Sequence, residues 1–194
     1  MIRKKLGIAV AAAAVGVLGF AGPAQAQDID GTNGPDVLIG TPNADTIQGF
    51  AAGDFEAGQA GEDTMYGGNG GDEMNGGRHD DWMSGGNGND TMNGNVGSDY
   101  VSGDAGADKV VGSDGYDEVR GGDSADVVRG NDQGDDVYPG PGSDEAYGGS
   151  GNDAMYVFVD GKPDFVDCGD GDDTVFTGGS VDPLDVFVHC ENFE

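Results

Sequence analysis

Between residues 31 and 156 an apolar side chain returns every nine positions, separated mostly by glycine, aspartate and asparagine. The column reads Leu38, Ile47, Met65, Met74, Met83, Met92, Val101, Val110, Val119, Val128, Val137, Ala146 and Met155. Glu56 alone breaks it, and every methionine but the first falls in it. One apolar residue in nine is too sparse for an amphipathic helix or a long half-buried strand. It suits a very short strand whose middle residue points inward while its neighbours point outward. Each unit is therefore predicted to be a three-residue strand, at positions 7 to 9, joined by a sharp six-residue turn.

The polar positions keep the same phase. With the apolar residue at position 8, position 6 is Asp in all fourteen units. Position 1 is Gly in every unit but the one that starts at Pro139. Glycine at positions 1, 2 and 4 suits a sharp turn, where it adopts positive φ without steric cost. The consensus is G-G-x-G-x-D-x-apolar-x. A disordered acidic chain would not hold one register over fourteen units.

This pattern resembles the RTX, or haemolysin-type calcium-binding, repeat family. The resemblance implies an all-β fold, a right-handed parallel β-roll (β-solenoid) with two nonapeptides per coil. Loops eighteen residues apart would then stack on one edge. Fourteen units make seven coils, about 30 Å long at ~4.8 Å per strand.

The resemblance also implies multiple Ca2+ ions held between stacked loops. Calcium takes six to eight hard oxygens at about 2.3–2.6 Å. A single loop cannot supply them, but two loops can pool backbone carbonyls with the position-6 carboxylates. The best-matching pair is GGNGGD (67–72) beneath GGNGND (85–90). That site takes Asp72 and Asp90, with Gly67, Asn69, Gly85 and Asn87 in its loops. Asp108 continues the same edge, and Asp99 with Asp117 form a site on the other. Asp63 and Asp153 also belong to the ligand set. Asp81, Asp126 and Asp135 sit in poorer loops, with His79, Ser124 and Gln133 at position 4. Such loops are expected to bind weakly or not at all. For any one Asp, the plain alternative is a turn residue capping its own backbone.

Charge sharpens the picture. The chain of 194 residues carries 40 glycines and a formal net charge of −29. Arg3, Lys4 and Lys5 precede an apolar run from Leu6 to Phe20 and an Ala24-Gln25-Ala26 site, as in a cleaved secretory signal peptide. Cleavage after Ala26 would leave 37 acids against five bases, Arg78, Lys109, Arg120, Arg129 and Lys162. Such a surface repels nucleic acid and anionic lipid and attracts cations. No later segment is long and apolar enough to insert in a membrane. The sequence thus divides into a leader (1–26), N-terminal cap repeats marked by Glu56 (27–57), calcium-binding repeats (58–156), and degenerate repeats with a C-terminal cap (157–194). With so thin an apolar core, the roll is expected to fold on binding calcium, as a secreted monomer.

After Tyr156 the phase slips by two residues, and Asp164 and Asp173 resume position 6. The run DFVDCGDGDDTV resembles the closing segment of secreted actinobacterial members of the family. The only cysteines, Cys168 and Cys190, lie here. In an exported chain they read as one disulfide, the alternative being a zinc site with His189. Outside the roll, Trp82 should stack beside Tyr100, Arg120 beside Tyr138 and Tyr156, and Arg129 beside Tyr147. These columns suit a cross-strand ladder or a cell-wall or glycan partner. Calcium-dependent adhesion is thus a second reading. A polysaccharide-modifying β-helix enzyme is a third, less favoured one. Only two histidines are present, and no G-x-S-x-G or H-E-x-x-H motif.

Overall fold

The computed structural model describes residues 25–194. The leader expected over residues 1–26 lies, but for its last two residues, outside that range. The described residues hold no helix and wind as a parallel β-solenoid of about nine turns. Successive strands alternate between a ten-stranded and a nine-stranded sheet. At ~4.8 Å per strand the larger sheet is about 43 Å long.

Strand pairing follows the eighteen-residue period. Met65 pairs with Met83 and Met83 with Val101 in one sheet, while Met74, Met92 and Val110 align in the other. The position-8 residues of both sheets meet in the bore and form one continuous buried column. Beyond Tyr156 the pairing offset grows by two, so that Glu145 faces Phe165 and Ala154 faces Thr174. The extra residues leave the wall as a loop, with Val157 buried and Phe158 exposed.

Two features depart from the sequence expectation. First, most strands span six residues, as in Thr64–Asn69, Glu73–Arg78 and Trp82–Asn87. They cover positions 7 to 9 and continue through positions 1 to 3 of the next unit. The coil above presents the same backbone in register, with Gly68 on Gly86 and Asn69 on Asn87, so the ladder runs on through the glycines. The turn contracts to positions 4 to 6. Second, Glu56 does not leave the apolar column. It pairs between Leu38 and Met74 and is 0% exposed. The first repeats wind as ordinary coils around it.

The glycines divide into two kinds. Gly86 and Gly88, at positions 2 and 4, have φ of 101° and 145°, in the region L side chains avoid. Position 1 is a matter of space instead. A Cβ on Gly67 would stand 2.5 Å from the Asp72 carboxylate and 2.7 Å from the Gly85 carbonyl.

Cys168 and Cys190 are joined by a disulfide, with Cα atoms 5.2 Å apart. The pair is therefore not a thiolate zinc site. His189 instead faces Asp167, its Nδ1 at 2.8 Å from the carboxylate. Phe187 packs edge-on against Phe193 with ring centroids 5.3 Å apart, beside the last open coil.

Candidate metal centre

Each position-6 aspartate enters its turn with the side chain directed into the solenoid. Asp63, Asp72, Asp81, Asp90, Asp99, Asp108, Asp117, Asp126, Asp135 and Asp153 are all buried. The winding sorts them into two columns, one along each edge. Asp54, Asp72, Asp90, Asp108 and Asp126 follow one another on the first edge, and Asp63, Asp81, Asp99, Asp117, Asp135 and Asp153 on the second.

Within a column the two carboxylate oxygens differ. Oδ1 accepts the backbone N–H of the aspartate one coil earlier. Asp72 N–H donates to Asp90 Oδ1 at 2.8 Å, Asp90 N–H to Asp108 at 2.8 Å, and Asp99 N–H to Asp117 at 2.8 Å. The aspartate thus caps a backbone eighteen residues away, not its own turn. Oδ2 is buried and has no hydrogen-bond partner in any of these ten residues. An orphaned buried carboxylate oxygen is costly. Repeated from Asp54 to Asp173, it leaves two rows of carboxylate oxygens turned away from water.

Their titration reflects that cost. Burial, the largest cause, raises Asp81 and Asp135 to about 8, and Asp90 and Asp117 to about 7. Asp63, Asp99, Asp126 and Asp153 rise to about 6. Asp72 and Asp108 are also raised by burial. In every case the N–H donated to Oδ1 works against the rise.

The loops chosen from the sequence do come together, although not through every atom expected. Asn69 and Asn87 stack in register, and Asn87 Nδ2 donates to Asn69 Oδ1 at 3.1 Å on the exposed side. The Asn87 carbonyl accepts the Gly70 N–H at 2.7 Å. Position 1 contributes more directly, since the Gly85 carbonyl and Asp72 Oδ2 both border the space that a Gly67 side chain would fill. No cluster of three or more His, Cys, Asp or Glu side chains occurs among the described residues. A cation here would draw on carboxylate Oδ2 atoms together with main-chain carbonyls, an all-oxygen set that suits calcium over softer metals.

The degenerate loops keep the same path at a cost. His79, Ser124 and Gln133 take φ of 76°, 91° and 77° where the consensus has glycine. Their aspartates, Asp81, Asp126 and Asp135, stay in the columns. Glu56 is the acid in the bore whose environment sequence reading missed. Its place in the apolar column was the available signal, taken there as the mark of a cap.

On the outer face, Trp82 stacks on Tyr100 at 5.6 Å, Arg120 lies over Tyr138 at 4.2 Å, and Tyr138 stacks on Tyr156 at 4.2 Å. Arg129 covers Tyr147 at 4.7 Å. Arg120 also reaches Tyr100, while Tyr66 and Phe176 extend the ends, so the expected columns of one sheet merge into a single stripe. Most of these rings turn their faces towards one another, which is the geometry of a supporting ladder.

No curated protein matches the chain. The model of the RTX calcium-binding nonapeptide repeat matches residues 30–65, 51–78, 75–110, 102–138 and 140–157. These spans cover the coils that hold the aspartate columns. By its repeats, and by a solenoid with two rows of orphaned carboxylate oxygens, the chain belongs to the RTX calcium-binding nonapeptide repeat family.

Proposed function

We propose that the protein is a secreted calcium-binding solenoid that binds several ions along its two edges and folds as it binds them. The observation that supports this best is the row of buried, unpartnered Oδ2 atoms. Asp63, Asp72, Asp81, Asp90, Asp99, Asp108, Asp117, Asp126, Asp135 and Asp153 supply the carboxylates, and loop carbonyls such as that of Gly85 complete the set. Bound calcium supplies the positive charge that each buried column lacks. The carboxylates in turn tie adjacent coils, through Oδ1 on the protein side and Oδ2 on the ion side. Without the ion, two rows of like charge oppose closure of the roll. Secretion is supported by the basic, apolar and Ala-x-Ala order of residues 3–26.

The test is far-UV circular dichroism of the chain from Gln27 onward, titrated with calcium and, separately, with magnesium. A cooperative gain of β signal with calcium alone is expected. A spectrum already folded in excess chelator, and unchanged by calcium, would overturn coupled folding. No binding by calorimetry in the same samples would overturn the calcium reading itself.

A further inference from the structure

Glu56 is the one charged side chain in the apolar column, and it is 0% exposed. Both of its carboxylate oxygens are buried without a hydrogen-bond partner. A charge held this way in a wall of Leu38 and Met74 has no structural use that methionine would not serve better.

What lies across the bore gives it one. A Cβ built on Gly49 would stand 2.5 Å from Asp54 Oδ2, 2.6 Å from the Gly67 carbonyl and 2.7 Å from Glu56 Oε1. Three oxygens, two of them from carboxylates, thus converge beside a residue that has no side chain to separate them. Asp54 Oδ2 is itself buried and unpartnered. Among the described position-1 glycines, Gly49 alone has oxygens of two different carboxylates as its nearest neighbours, the second reaching in from the opposite sheet, whereas at Gly67 the carboxylate is that of Asp72 alone.

We propose that Glu56, Asp54 and the Gly67 carbonyl form an interior site for one divalent cation of the calcium class, inside the bore rather than in the loops. Two carboxylates balance a charge of two, and three hard oxygens exclude soft metals. The ion would pin the two sheets together across the second coil, where the column has no apolar side chain of its own. The inference rests on the chain being a calcium binder, and it adds a ligand from the core position of the repeat.

Calcium stoichiometry by equilibrium dialysis, with wild type, Glu56→Met and Glu56→Gln compared, tests it. Methionine fills this same position in the next coil, at Met74, so that variant keeps the core. Glutamine keeps the shape and loses the charge. Both variants are expected to bind one calcium equivalent fewer than wild type, with circular dichroism unchanged at saturating calcium. A full wild-type count in both variants would overturn the interior site and leave the loop sites standing. A wild-type chain that takes up no calcium would overturn the functional reading and this inference together.

Discussion

Replacing Asp90 separates the two jobs of a column aspartate. Its Oδ1 accepts the Asp72 N–H at 2.8 Å, while its Oδ2 is buried with no partner. Asp90→Asn keeps an acceptor for the N–H and removes the charge. In the metal-free roll, burial raises the Asp90 carboxyl from 3.8 to about 7. Keeping it ionised at neutral pH therefore costs about 2–4 kcal/mol, and the asparagine variant should be more stable than wild type by that amount. Asp90→Ala also removes the charge but orphans the Asp72 N–H. It should fall below the asparagine variant by about 1–3 kcal/mol.

Calcium should then close the gap. Asp90 borders two sites on its edge, one with Asp72 and one with Asp108. A site with a dissociation constant of ~10⁻⁴ M adds about 1.4 kcal/mol at ~1 mM calcium, so two add about 3 kcal/mol. Wild type gains that increment and Asp90→Asn does not, so in calcium the two should be nearly equal. The assay is urea unfolding followed by circular dichroism, in 1 mM calcium (about ten times the assumed dissociation constant) and in chelator. Trimethylamine oxide in both series brings a weakly folded metal-free state into range. If Asp90→Asn gains as much from calcium as wild type, Asp90 is not a ligand. If it is no more stable than wild type without calcium, the burden assigned to the buried charge is refuted.

Two further expectations follow from the same columns and turns. Gln133→Gly and Ser124→Gly relieve left-handed backbone at φ of 77° and 91°, and each should add about 1 kcal/mol, read as a higher midpoint in urea at fixed calcium. In chelator, the roll should gain stability as pH falls. Aspartates at about 6 to 8 when folded, against 3.8 unfolded, hold extra protons in that window, so their stabilisation is complete below 3.8 and is lost as pH rises through 6 to 8. Calcium affinity should move oppositely, weakening on acidification, and a metal-free roll that unfolds between pH 8 and 5 would contradict the assignment.

The winding was legible because it depends on a count. Aspartate at every ninth residue and one apolar side chain two residues later set the phase, and the resemblance to RTX repeats supplied two units per coil, from which the eighteen-residue pairing follows. The two-residue slip after Tyr156 was visible for the same reason. The strand limits were not, because Gly67 and Gly68 have no propensity for a strand and are held in one by the coils on either side. Position 1 looked like a third demand for positive φ. Its reason is the Asp72 oxygen beside it, a contact between residues five apart that only the closed turn creates. The burial of Glu56 was not legible, because a charge in an apolar column ordinarily marks the end of a core. Here the core has carboxylates on both edges, and an acid in its middle has oxygens to meet.

Charge counting also treats all 37 acids alike, whereas the fold divides them. Seventeen aspartates and Glu56 are buried, and the rest project from the outer faces. The outer ones are solvated and screened within about 10 Å at ordinary salt, so they draw cations only loosely. The inner ones have already given up their water to the turn, and half of each carboxylate is tied to the next coil. In the closed roll a cation at Oδ2 meets a ligand that needs little further desolvation or ordering, so part of its binding energy goes into closing the coil that presents it. The glycine at position 1 serves this purpose as much as the aspartate does, because a methyl group there would push the free oxygen aside. The nonapeptide is thus a joint specification: the residue with no side chain keeps open the place that the buried carboxylate fills.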